Sequence, residues 1–170
     1  MSSTELNAAE FSAAEFNDDL YIAIGNPLRR DDGVAAKVIE ALRPAASRIV
    51  MQPTFELAAD IASARRVIFV DAAVEGKLRL DPVNGKYGNH GSHGMEAGEV
   101  VALSRELYGF SGEAWFCRVP GEDFGVGEGL HPRTQTNAAQ AVELLRNLHF
   151  PHRADGVVAG DHQPIINLPG

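Results

Sequence analysis

Three side chains in this sequence are of the types that hold a metal ion or move a proton: Asp32, Asp71 and His93. Each follows a stretch that should end on the same side of a sheet. Two carboxylates and an imidazole suit a divalent metal such as zinc, nickel or manganese, with coordination positions left open. Open positions serve hydrolysis, because metal-bound water loses a proton more readily and a bound carbonyl is polarised. Without a metal, the two acids would act as general base and general acid once burial or mutual repulsion separated their pKa values. Each residue also has a plainer use. Asp31 or Asp32 stands where a helix N-cap is expected, Asp71 can satisfy backbone N–H groups, and a lone loop histidine is ordinarily solvated. Spacing along the chain does not show that the three converge.

The elements that must position them are legible from periodicity. Tyr21-Ile-Ala-Ile24 is a short apolar run that stops at Gly25-Asn26, and a charged turn through Asp31 and Asp32 leads into a helical pattern. Val34, Val38, Ile39 and Leu42 recur on one helix face, and Pro44 ends it. Ile49-Val-Met51 reads as a second strand, and Thr54 as the cap of a second helix with Leu57, Ile61 and Phe55 inward. Val67-Ile-Phe-Val70 is an uninterrupted apolar run ending in Asp71, the pattern of a buried parallel strand. Lys77–Leu80 reads as an edge strand and Asn84-Gly85 as a turn. The Gly-rich segment holding His90 and His93 reads as a functional loop. A helix follows from Glu96, with Val100, Leu103 and Leu107 on one face and Gly109 as its stop. Ala114–Val119 is another strand, residues 121–130 a loop, and Pro132–Leu148 a last helix with Ala138, Val142 and Leu145 inward. Strands alternating with helices predict a mostly parallel sheet covered on both faces. Acids at strand carboxyl ends stand where such sheets place their working groups.

Length and charge narrow the function. The chain has 170 residues, 45% of them hydrophobic and 22% charged, a single-domain size able to bury one proper core. Residues 1–18 and 150–170 read as flexible ends around a core of about 20–148. A net charge of −8 argues against nucleic-acid and anionic-membrane partners. One cysteine, Cys117, excludes an internal disulfide and fits a reducing compartment. The start of the chain lacks a signal-peptide pattern and no apolar run is long enough for a membrane span, so a cytoplasmic location is expected. Cys117 has no activating partner in view and reads as an inert buried thiol. His90 is at most an accessory donor, Glu56 complements a helix dipole, and His149, His152 and His162 have no metal-binding spacing. The Gly-x-Gly-x-x-Gly fingerprint and the P-loop are both absent.

Four stretches in order resemble the hydrogenase maturation proteases, endopeptidases that trim the C-terminus of the nickel–iron hydrogenase large subunit. They are Ala23-Ile-Gly25-Asn26 through Asp31-Asp32-Gly33, Val70-Asp71-Ala72, Ser92-His93-Gly94-Met95 before a leucine-bearing helix, and Phe124-Gly-Val-Gly-Glu-Gly-Leu130. The resemblance implies a three-layer α/β/α sandwich of phosphorylase/hydrolase-like type. It also implies that Asp32, Asp71 and His93 form a nickel-recognising site, with Asp32 and Asp71 as the catalytic acids. The implied partner is the immature large subunit, which presents the nickel, and another divalent metal would occupy the site in isolation. Three positions depart from the family pattern: Ala23 replaces its first glycine, Gln52 lies in the stretch where some members carry a further acid that this chain lacks, and His131 replaces a serine. Two other readings follow from the residues. One is a non-catalytic metal-sensing assembly factor. The other is a peptidyl-tRNA hydrolase-like enzyme, which the missing Arg-His-Asn segment and the acidity disfavour.

Overall fold

Buried side chains alternate from face to face along each central strand, so one sheet serves two cores. The computed structural model describes residues 17–86, 95–149 and 165–166. In order, β1 (Asn17–Ile24), a 3-10 turn (Arg30–Gly33), α1 (Val34–Leu42), β2 (Ala46–Val50) and α2 (Glu56–Ile61) lead to β3 (Ala64–Ala73). They are followed by β4 (Arg79–Pro82), α3 (Ala97–Tyr108), β5 (Glu113–Pro120) and α4 (Pro132–Arg146). Two short strands, β6 (Leu148–His149) and β7 (Ile165–Ile166), pair antiparallel.

The five-stranded sheet has the order β2-β1-β3-β5-β4. The first four strands are parallel, and β4 runs antiparallel along β5 at one edge. One core packs Tyr21, Ala23, Ile68, Val70, Trp115, Cys117 and Val119 against α1 and α4. The other packs Leu20, Ile22, Ile24, Val67, Phe69 and Ala114 against α2 and α3. The expected three-layer α/β/α arrangement with a mostly parallel sheet is thus the observed one. The order reverses between β1 and β3: α1 carries the chain outward to β2, and α2 returns it to β3. Open α/β sheets form their binding crevice at such a reversal, outside the strand carboxyl ends.

Several boundaries follow local chemistry. Arg43 closes α1 in the left-handed conformation (φ 53°), donating its N–H to the Ile39 carbonyl, with Pro44 next. α3 opens with a capping box, in which Glu96 accepts from the Glu99 backbone and Glu99 accepts from the Glu96 N–H, and Gly109 (φ 69°) closes it.

Other expectations are corrected. Neither Asp31 nor Asp32 caps α1; its N-cap is Gly33, with no side-chain cap bond, because the 3-10 turn intervenes and turns both carboxylates elsewhere. Thr54 is not the N-cap of α2; that position is Phe55, which is exposed, since this helix begins only at Glu56. Leu107 is exposed too. The inward face of α3 runs through Ala97, Val100, Val101 and Ser104, whose small members let the helix close on the sheet. The last helix ends at Arg146, and Leu148 begins β6 instead. The edge strand lies two residues later than Lys77–Leu80, and β2 begins at Ala46.

Candidate active site

Asp32 and Asp71 stand on the two sides of the reversal. Asp71 lies at the carboxyl end of β3, and Asp32 in the turn that follows the neighbouring β1. Gly25 makes the approach of that turn possible. Its φ of 141° and the space beside it, closed by the Asp32 backbone carbonyl, leave no room for a side chain. Ala23, the departure from the family's glycine pattern, is simply buried in the sheet core. The close backbone approach belongs to Gly25.

Each of the two acids spends one oxygen on the backbone. Asp32 Oδ2 accepts from the Asn26 N–H at 2.8 Å, and Asp71 Oδ1 accepts from the Ala72 N–H at 2.7 Å. The remaining oxygens have no hydrogen-bond partner among the described residues. The Asp71 carboxyl is pushed up to about 6. Burial is the main cause; the Ala72 N–H opposes it, the negative charge of Asp32 adds to it, and the Arg118 guanidinium opposes it. The negative charge of Asp32 thus bears on Asp71.

Asp31, one residue from Asp32, does a different job. It is fully buried, and its carboxylate accepts four hydrogen bonds, each 2.7 or 2.8 Å long. The donors are the N–H groups of Glu122, Asp123 and His131 and the hydroxyl of Thr134. Burial alone would raise its pKa, but the Thr134 hydroxyl and the backbone donors outweigh it and hold Asp31 below the usual carboxylate range. The Arg30 N–H adds a bond to the Gly127 carbonyl, and its guanidinium pairs with Asp123 at 3.1 Å. The turn carrying Asp32 is thereby clasped to the loop after β5. His131 caps α4, its Nδ1 accepting from the Arg133 N–H at 3.2 Å, a task a serine hydroxyl at this position would also perform.

A cavity of about 450 Å³ opens beside Asp71 over the face that α2 and α3 cover. Pro53, Phe116, Arg118, Met95 and Glu96 are among its walls. Arg118 is the residue that sequence reasoning passed over. A lone charge inside the otherwise apolar run Ala114–Val119 was the available signal. It is the register partner of Asp71 on the adjacent strand, and its guanidinium carbon lies 4.2 Å from the centre of the Phe116 ring.

The remaining candidates separate clearly. His93 and His90 lie outside the described residues, as do His152 and His162; Met95, two positions after His93, lines the cavity. Cys117 is fully buried with its thiol pushed up to about 12 by burial, then by Asp81, as expected of an inert group. Glu56 is held below the usual carboxylate range by the Thr54 hydroxyl and backbone at the start of α2. Gln52 is exposed and supplies no carboxylate. No three potential ligands from His, Cys, Asp and Glu gather among the described residues. The pair Asp32 and Asp71 fits a divalent cation in chemistry, offering two unshared carboxylate oxygens whose repulsion a cation would relieve. A third donor has to come from elsewhere.

No protein-family profile and no curated protein matches the chain. Solved structures do. The hydrogenase maturating endopeptidase HybD from E. coli is 21% identical, with a TM-score of 0.58 over 75% of this chain and 89% of that one. The NiFe hydrogenase maturation protease HycI from Thermococcus kodakarensis is 20% identical, with a TM-score of 0.60 over 75% and 89%. A hydrogenase 3 maturation protease is 18% identical, with a TM-score of 0.57 over 75% and 88%. Identities of this size speak for architecture. The chain has the fold of the hydrogenase maturation endopeptidases.

Proposed function

We propose that this protein is an endopeptidase that removes the C-terminal extension of an immature nickel–iron hydrogenase large subunit. What supports the reading is that Asp32 and Asp71 stand on the two sides of the strand-order reversal, Asp71 beside a cavity, in a fold shared with hydrogenase maturation endopeptidases. The four family-like stretches support it, since two of them supply these acids. In this reading nickel is part of the substrate: it arrives on the large subunit and polarises what it touches. Asp32 and Asp71, with His93 as third donor, receive it. The same carboxylates take the proton of the attacking water, which adds to the scissile carbonyl carbon. The carbon–nitrogen bond then breaks, leaving a new carboxylate on the subunit and an amine on the released tail. Other divalent ions of similar size would occupy the same oxygens when the protein is alone. The place of action is the cytoplasm, and among the described residues no helix is long and apolar enough to cross a membrane.

The test is incubation of the purified protein with the unprocessed large subunit, nickel-loaded or nickel-free, read by intact mass. Loss of a C-terminal peptide from the nickel-loaded subunit alone is the expected result. Binding without loss of mass would replace this reading with that of a metal-sensing assembly factor. Absence of both would leave a shared fold with another function.

A further inference from the structure

The cavity beside Asp71 has one cationic wall, formed by Arg118. Arg118 is paired in register with Asp71 on the neighbouring parallel strand. Paired residues of parallel strands project to the same face, so the two side chains flank one opening, and both line the cavity. The guanidinium is held in a fixed pose. It lies over Phe116, which itself stacks on the buried Phe69 with ring centres 6.1 Å apart. One terminal nitrogen also donates to Asp81 at 3.2 Å.

That contact does not use the group up. Asp81 is shared with Arg79, whose Nε lies 3.1 Å away, so one carboxylate serves two arginines. A guanidinium has five N–H donors, and Asp81 takes one of them. Of the cavity's two carboxylates, Glu96 caps α3, and Asp71, the candidate catalytic acid, has one oxygen held by the Ala72 N–H and the other without a partner among the described residues. A positive, pre-oriented donor fork facing a catalytic carboxylate across one strand spacing is suited to a developing negative oxygen.

We propose that Arg118 is the oxyanion-binding residue of the site, receiving the carbonyl oxygen of the peptide bond whose attacking water is served by Asp71. The proposal rests on the peptidase reading above and adds a catalytic group to it. Water oxygen adds to the carbonyl carbon, and the carbonyl oxygen takes up the charge against the Arg118 N–H groups. The water's proton passes through a carboxylate to the departing nitrogen as the carbon–nitrogen bond breaks. No co-reactant besides water is consumed. Phe116 and Asp81 act as positioning residues, because they hold the guanidinium.

Steady-state cleavage of the nickel-loaded, unprocessed large subunit separates this from a structural role. Arg118→Gln should lower kcat by about 100-fold or more while KM changes by less than about threefold, the pattern of an interaction made in the transition state. Arg118→Ala should regain part of its rate when guanidinium ion is added at about 50 mM, which repair of a merely structural loss would not achieve. Arg118→Lys keeps the charge and guards against misfolding: with a wild-type circular dichroism spectrum, it should still lose about tenfold in kcat. Wild-type kcat in folded Gln or Lys variants, or a loss confined to KM, would overturn the assignment while leaving the peptidase reading intact. Failure of the wild-type protein to cut any nickel-loaded subunit would instead remove both.

Discussion

At the scale of single residues, Asp71 carries a cost that the proposed catalytic role would explain. A carboxylate at the half-buried end of a strand, under the influence of a second negative charge, is less stable charged than in water, which pushes its pKa up to about 6. The folded value lies above the usual 3.8, so the folded state holds an extra proton between those limits. Stability of the metal-free protein is therefore reduced above about pH 6, and this reduction fades as pH falls toward 4. Asp71→Asn should raise the melting temperature by about 2–4 °C at pH 8 and have almost no effect near pH 4, measured by calorimetry without metal. The same variant should abolish processing of the large subunit. A lower melting temperature at pH 8 would mean that Asp71 holds the strand end together rather than the reaction. Stability gained at the expense of activity is the pattern of a residue placed for chemistry.

At the scale of elements, the position of Asp32 is set by its neighbour. The 3-10 turn is short and makes few bonds of its own, so the buried Asp31 carboxylate ties it to the loop after β5 and to the first turn of α4. Asp31→Ala would leave four donors without their acceptor inside the protein. The expected loss is about 3–5 kcal/mol, read from urea unfolding, because stranded buried donors are costly and the lost acceptor is charged. Asp31→Asn keeps the shape but turns one oxygen into a donor facing donors, and should lose a comparable share. Both should impair cleavage even where the protein remains folded, since Asp32 would no longer be held. Equal stability of Asp31→Ala and the parent would show that the clasp contributes nothing. His131 illustrates the same logic: a changed residue type is harmless where a lone pair at a helix start is what the position requires.

At the scale of the whole molecule, two cores share one sheet. Val38 is fully buried on the α1 and α4 side, and Ile61 on the α2 and α3 side, yet the strands between them are common to both. Val38→Ala and Ile61→Ala should each destabilise, the latter by about 2–5 kcal/mol. Both should shift one cooperative transition, with far-ultraviolet and tryptophan signals superimposed. Separate transitions would mean that the faces fold independently. This shared sheet is also what holds the site, because Asp71 and Arg118 keep their distance only while β3 and β5 keep their register.

What the sequence by itself determined is local. Apolar runs located β1, β3 and β5, helical spacing located α1 and α4, and Pro44 and Gly109 marked real helix ends. Such signals work because period and turn chemistry depend on a few adjacent residues. The acids at the ends of the first and third strands were legible for the same reason, as was the inert burial of Cys117. Only the tertiary structure decided which of two adjacent aspartates points inward, since the donors that choose Asp31 lie 91 to 103 residues away. It decided likewise that Phe55 and Leu107 face solvent and that Arg118 stands beside Asp71. Strand register and helix approach bring those residues together, and both depend on the packing of distant side chains that no local pattern encodes.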